Sequence, residues 1–166
     1  KSVKLVMLYH GSIAKSRKLE VLIDVLSKLP KKYVLKMVGG GMHGNQSYEN
    51  ELMNKAINLH CGDRLQINKL PHSQLINEIA KAYVCISYVP LLECYQDQFV
   101  SKTIEYLACH KPVIATETRY TKNLNINLGG NTILLTDGTI EDLTNKILGC
   151  DNYIDTFYSK ENISAV

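Results

Sequence analysis

The chain has 166 residues and a formal net charge of +3, with 45% hydrophobic and 21% charged residues. That is one domain, or slightly more, with enough chain to bury a proper core, and the charge is too mild to imply nucleic acid while suiting an anionic small ligand. No apolar run approaches membrane-spanning length and no signal peptide is visible; the five cysteines, an odd number without a CxxC, fit a reducing cytosol.

In chain order, Val3–Tyr9 (VKLVMLY) is a short apolar run expected to form a strand buried on both faces. A loop carrying Gly11, Lys15, Arg17 and Lys18 follows. Leu19, Leu22, Ile23, Leu26 and Leu29 then mark an amphipathic helix ended by Pro30. Tyr33–Val38 is the second strand and runs into Gly39-Gly40-Gly41. A helix over Tyr48, Leu52, Met53, Ala56 and Ile57, capped by Ser47, leads to a short strand at Arg64–Ile67. Pro71 precedes a helix with Leu75, Ile76 and Ile79, and Val84–Tyr88 is the fourth strand. Pro90–Val100 is a polar irregular segment. Val113–Thr116 and Thr132–Leu135 are further strands, and Thr139 with Asp142 has a capping-box pattern ahead of Ile140, Leu143 and Ile147. Strands and helices alternate throughout, and the strand runs are continuously apolar. The fold expected is α/β: a Rossmann-like, doubly wound parallel sheet of about six strands with helices on both faces.

The stretch Gln98–Thr116 (QFVSKTIEYLACHKPVIAT) organises the rest. Ile104, Leu107 and Ala108 fall at i, i+3 and i+4, which predicts an apolar helical face, with Ser101 as N-cap. His110-Lys111-Pro112 ends the helix. Lys102 is out of place: a cation in the first turn opposes the helix dipole, unless an anion sits at the helix start with it and with the N–H groups of residues 101–104. A solvated loop lysine is the plainer alternative.

Ligands of a doubly wound sheet bind beyond the carboxyl ends of its strands. The loops there hold glycines, Arg17, Lys18, Lys102 and, one turn into a helix, Glu105. Cations and N–H groups would hold phosphates, and a carboxylate would accept from ribose hydroxyls. Gly39–Gly44 (GGGMHG) fits GxGxxG, but it follows the second strand and Asn45-Gln46-Ser47 intervene before the helix. A dinucleotide fingerprint belongs after the first strand and opens directly into a helix; a tight glycine turn, or glycines that let a ligand approach the backbone, are the other readings. There is no P-loop, no DxD pair and no histidine spacing suited to a metal. His10 and His72 stand at strand ends, within reach of a ligand or simply at the surface.

Three stretches, YHGSIAKSRKLEVLI, YVLKMVGGG and SKTIEYLACHKPVIAT, together resemble the C-terminal, nucleotide-sugar-binding half of family 4 retaining glycosyltransferases of the GT-B fold. The likeness covers nearly the whole chain, in the family's order and spacing. It implies a single Rossmann-like domain over residues 1–166 of a longer protein, with an N-terminal acceptor domain outside it; the chain opens at Lys1-Ser2 without an initiator Met. It also implies roles. Glu105 matches the second glutamate of the family's E-x7-E motif, a catalytic and ribose-binding position, and Asp97 stands where the first glutamate serves the donor sugar. Glu93 is a rival for that place. Gly11, Ser12, Arg17, Lys102, Thr103 and Ile104 match the donor-diphosphate segment, with Ser12 replacing the usual arginine. Leu70 and Pro71 match the turn bordering the base, and Gly39, Gly40 and Gly41 the glycine turn near the donor. His110 replaces a glycine.

The activity implied is retaining transfer from a UDP- or GDP-sugar, with no cofactor and no metal. The acceptor would be a sugar or lipid-linked molecule, with no nucleic acid involved. The setting implied is cytoplasmic, with peripheral association of the full-length protein at the inner face of the membrane, in synthesis of bacterial surface polysaccharide or glycan. A dinucleotide-binding oxidoreductase domain and a non-catalytic nucleotide-binding module are the alternatives.

Overall fold

The computed structural model describes residues 3–39 and 46–164. Six strands, β1 (Leu5–His10), β2 (Tyr33–Val38), β3 (Leu65–Asn68), β4 (Val84–Ser87), β5 (Val113–Thr116) and β6 (Ile133–Thr136), form one parallel sheet in the order β3-β2-β1-β4-β5-β6. The helices are α1 (Glu20–Lys28), α2 (Gln46–Asn58), α3 (His72–Lys81), α4 (Ser101–Ala108), α5 (Arg119–Asn127), α6 (Ile140–Leu148) and α7 (Asp151–Ser164). Strand order reverses between β1 and β4. The loops leaving those two neighbours diverge to opposite sides, and a crevice opens at their carboxyl ends.

Alternation along each strand feeds two cores. Met7 and Tyr9 of β1, with Val84 and Ile86 of β4, face α1, α2 and α6, where Ile23, Leu26, Leu52 and Leu143 cover them. Leu8 and Cys85 point the other way, with Val113 and Ala115 of β5, onto Leu75 and Ile79 of α3 and Tyr106 of α4. Both faces are apolar because both are covered, which is why the strands read as unbroken apolar runs.

Several sequence expectations need correction. β1 starts at Leu5, since Val3 is 76% exposed. Arg64 ends a 3-10 turn, Gly62–Arg64, rather than opening β3. Ser47 is inside α2, and Ser101 is the first residue of α4: the N-cap is Val100, with no side-chain cap bond. Residues 117–122, which read as a loop after β5, instead lead into α5, which begins at Arg119 behind a capping box of Thr118 and Thr121. That helix and α7 carry too little apolar periodicity to be recognised.

The face of α4 is also rotated from expectation. Its buried residues are Lys102, Thr103 and Tyr106, while Ile104 is 37% exposed. The two hydroxyl side chains go inward because each finds a partner there. The Thr103 hydroxyl pairs with that of Ser87 at 2.7 Å. The Tyr106 hydroxyl donates to Ile86 O at 3.2 Å and accepts from His10 N at 2.8 Å, tying α4 to the ends of β4 and β1. A satisfied buried polar group loses little relative to water, so helix rotation is decided by these bonds as much as by apolar area.

Candidate functional site

The crevice between the carboxyl ends of β1 and β4 holds a cavity of about 130 Å³. His10, Gly11, Ser12 and Arg17 line one side and residues 98–102 the other. Arg17 and Lys102, 85 positions apart in sequence, thus meet at one space.

The first wall is a loop held by three tyrosines from three elements. The Tyr9 hydroxyl donates to Ser12 O at 3.0 Å, the Tyr95 hydroxyl donates to Ser16 O at 3.1 Å, and the Tyr48 hydroxyl accepts from Leu19 N at 2.9 Å. Between these anchors the chain makes a 3-10 turn, Lys15–Arg17, which ends at Lys18 in the left-handed region (φ 49°). Gly11 leaves β1 at φ 133°, a conformation that suits glycine.

The second wall is the start of α4. The first N–H groups of a helix have no partner within it. That of Thr103 is taken by Val100 O at 3.1 Å, so residues 101 and 102 are the ones that offer N–H groups at the cavity. Lys102 itself is 7% exposed. Its Nζ lies 4.4 Å from the centre of the Tyr9 ring, and its closest acceptors are Tyr9 Oη at 3.4 Å and Tyr88 O at 3.5 Å. Burial, reinforced by the charge of Arg17, lowers its pKa to about 7. Here is a buried cation with two long hydrogen bonds, a ring face and, among the described residues, no carboxylate partner, beside a cavity that a second cation also lines.

Beyond the cations, the His10 Nε2 atom lies 2.9 Å from Glu105 Oε2, without the alignment of a hydrogen bond, and the imidazole stands edge-on to Tyr106 at 5.3 Å. Burial holds the His10 pKa below its ordinary value, against the pull of Glu105, and Lys102 adds to the lowering. The Glu105 side chain is 36% exposed, open to a ligand.

The remaining sequence candidates land as follows. Ser12 lines the cavity, its carbonyl spent on Tyr9. The Thr103 side chain is committed to Ser87, and Ile104 points away from the cavity into a separate cleft. Gly39 answers to the chain itself: a Cβ there would come within 2.1 Å of Gly11 O, so the loops after β1 and β2 touch only because it has none. Gly40 and Gly41 lie outside the described residues. Leu70 packs at the edge of the second core and Pro71 caps α3, neither lining the cavity.

Asp97 is exposed and does not line the cavity either. Both of its oxygens bind Arg119, at 3.0 Å to Nε and 2.6 Å to Nη2, and Glu93 binds the same Nη2 at 2.6 Å. The two rival carboxylates therefore share one cation. Sequence reasoning missed Tyr95, Tyr106 and Arg119. The first two are tyrosines, one ending a 3-10 turn and one inside α4, and a hydroxyl's partner is not written in any spacing.

A larger cavity lies elsewhere. It is an apolar cleft of about 830 Å³ between α4, α5 and α7, lined by Ile104, Leu107, Leu124, Leu128 and Phe157 among others. It is mostly apolar, with His110 and Lys160 also in its lining, and lies on the outer face of α4. Among the described residues no cluster of three or more His, Cys, Asp or Glu is arranged to hold a metal, and no helix is long and apolar enough to cross a membrane.

Comparison with solved structures finds the same fold at low identity. HepE of Anabaena, in complex with UDP and glucose, is 21% identical with a TM-score of 0.77 over 93% of this chain and 41% of its own. Sucrose-phosphate synthase of Thermosynechococcus elongatus is 23% identical at 0.77, over 95% of this chain and 39% of its own. A glycosyltransferase of Rickettsia africae is 23% identical at 0.70, over 96% and 38%. The chain thus spans about two-fifths of the length of these structures. No curated protein sequence matches it at a significant level. Residues 1–149 match the family model described as glycosyl transferases group 1, and with the parallel sheet in the order of a GT-B C-terminal domain the chain belongs to that family.

Proposed function

We propose that this domain is the donor half of a retaining, family 4 glycosyltransferase: it binds a nucleoside diphosphate sugar at the crevice between β1 and β4. The observation that carries this is Lys102, a cation 7% exposed with no carboxylate partner among the described residues, meeting Arg17 at the start of α4. A buried charge is stable only when compensated, and a diphosphate in the cavity would compensate it. HepE structures hold UDP and UDP-glucose on the same fold, which supports the ligand class.

In this assignment Arg17, Lys102 and the N–H groups at residues 101 and 102 take the diphosphate, with Gly11 and Ser12 close beside it. Glu105, a turn further on, accepts from the ribose hydroxyls, and Leu70 and Pro71 border the base. During transfer the glycosidic oxygen leaves with the diphosphate, and the preorganised cations stabilise the charge that builds on it, without a cofactor or metal. Asp97 reaches the donor sugar only if Arg119 lets it go. The acceptor, a sugar or lipid-linked molecule, belongs to a further domain, and the setting we assign is the cytoplasmic side of a bacterial membrane in surface polysaccharide synthesis.

Calorimetric titration of the chain with UDP, GDP, uridine, guanosine and NAD tests the assignment. One diphosphate should bind well ahead of its nucleoside and of NAD. NAD as the preferred ligand, or a nucleoside binding as well as its diphosphate, would refute it. Glu105→Gln should then erase the preference for UDP over its 2′-deoxy analogue, if uracil is the base.

A further inference from the structure

We infer that Tyr95 is a positioning residue for the diphosphate: its ring holds the Arg17 guanidinium in place without neutralising it. The inference rests on the donor-site assignment above. Arg17 sits on a three-residue turn in a surface loop, and its long side chain loses considerable rotamer freedom when fixed. What fixes it is the Tyr95 ring, whose centre lies 5.0 Å from the guanidinium carbon. The Tyr95 hydroxyl also donates to Ser16 O at 3.1 Å, so one side chain grips both the backbone and the head group of this loop.

A carboxylate would hold an arginine more strongly, and two are present on the same short turn. Glu93 and Asp97 flank Tyr95, yet both are spent on Arg119 at the start of α5. The Gln96 side chain accepts from Arg119 N at 3.2 Å and its carbonyl from Tyr120 N at 2.9 Å. The turn is thereby clamped to α5 by its acidic residues and presents an aromatic face to Arg17. The division has a clear physical consequence. A carboxylate on Arg17 would cancel the charge that the anion needs, whereas a ring orients the cation and leaves that charge available. Glu93, Asp97 and Arg119 thus act on the cavity through Tyr95.

A double-mutant cycle on the chain, read by calorimetry with UDP or GDP, whichever binds, and with its nucleoside, tests this. Tyr95→Leu should weaken the diphosphate roughly three- to tenfold and leave the nucleoside unchanged. In an Arg17→Ala background the same substitution should have no further effect, because there is no guanidinium left to hold. Tyr95→Phe keeps the ring and should retain at least about half the wild-type affinity. Additive losses, an unaffected Tyr95→Leu, or a Tyr95→Phe as weak as Tyr95→Leu would each overturn the inference. If Arg17→Ala loses affinity while Tyr95→Leu does not, the donor site stands and Tyr95 alone falls. A wild-type chain that does not prefer the diphosphate to the nucleoside sinks both.

Discussion

Two cations are buried in this domain to the same depth and in opposite ways. Arg64 is 8% exposed and Lys102 is 7% exposed. The Arg64 guanidinium donates to four carbonyls: Leu29, Pro30 and Tyr33 from Nη1 at 3.2, 3.2 and 3.3 Å, and Leu26 from Nη2 at 3.0 Å. These carbonyls lie at and beyond the end of α1, and two of them, Leu26 O and Pro30 O, also accept from Leu29 N and Tyr33 N. A charge there also meets the negative end of the helix dipole. Lys102 has two acceptors at 3.4 and 3.5 Å and sits at the start of a helix, where the dipole opposes it. Depth alone therefore says nothing about role. A buried cation surrounded by carbonyls closes the fold, and one left short of acceptors keeps charge available for the diphosphate we propose.

The largest effect that would break this contrast is on Arg64. Arg64→Met removes the donor shared by four carbonyls, of which Leu26 O and Pro30 O keep the N–H groups of Leu29 and Tyr33. It should cost about 3–5 kcal/mol, roughly 6–20 °C in melting temperature for a domain of this size. Diphosphate affinity, measured well below the melting transition, should be unchanged. A mild loss of stability, or a selective loss of binding, would mean that the carbonyl cage is not what anchors α1.

Lys102→Met is the mirror experiment. Removing an undersatisfied buried charge should leave thermal stability unchanged or raise it. Diphosphate affinity should fall about tenfold or more, the range for a charge-assisted hydrogen bond. A destabilised Lys102→Met with intact binding would make Lys102 a second structural cation and end the comparison.

Protonation should separate the two sites next. The Lys102 pKa is lowered to about 7 in the folded chain, against an ordinary value near 10.4 in the unfolded one. Between those values the unfolded state binds the extra proton, so Lys102 contributes stability that rises with pH from about 7 and is constant below it, opposed once thiols ionise in the unfolded chain by Cys61, Cys85 and Cys150, whose pKa values burial raises. Binding runs the other way. Diphosphate needs the ammonium, so affinity should fall as pH rises above about 7, by up to about tenfold per pH unit. Lys102→Met should remove the rise from the stability profile, leaving the part due to the buried thiols, and flatten the binding profile. His10, whose pKa is held below its ordinary value by burial, is already neutral there and should not contribute.

How much of this was legible beforehand follows the same division. The order of strands and helices was readable because β1, β2, β4 and β5 are buried on both faces and their sequences say so. β2 and β5 match their expected bounds of Tyr33–Val38 and Val113–Thr116. Meeting of Arg17 and Lys102 was also readable, since strand order alone carries their loops to one crevice. The inward face of α4 was not, because the apolar triplet Ile104, Leu107 and Ala108 outvotes Thr103 and Tyr106 in any periodicity count, while the structure rewards the two hydroxyls with partners on β4. Arg64 reads as a strand start, since nothing in its neighbourhood announces that carbonyls from residues 26–33 will converge on it. Asp97 has the right spacing to Glu105, but spacing cannot show that Arg119 holds it.

The smallest effect is the most diagnostic of saturation. Arg64→Lys keeps the charge and the dipole complement but replaces a planar fork with a single ammonium that has three donors. Nη1 and Nη2 reach acceptors on both sides of the α1 terminus, and one ammonium cannot span them. At least one bond, such as that to Leu26 O, should be lost. The expected cost is about 1 kcal/mol, or roughly 2–4 °C. The new lysine should nevertheless stay charged, because several carbonyls still surround it at the negative end of a helix, and hydrogen bonding to the charged form favours that form. Thermal stability of Arg64→Lys should then parallel that of the unmutated chain from pH 7 to 9, with the difference between them constant. If the difference instead shrinks as pH rises, the introduced lysine is shedding its proton as Lys102 does. The four carbonyls would then be no better a cage than the Tyr9 ring, and the distinction between a structural and a ligand-ready cation would have to rest on the cavity alone.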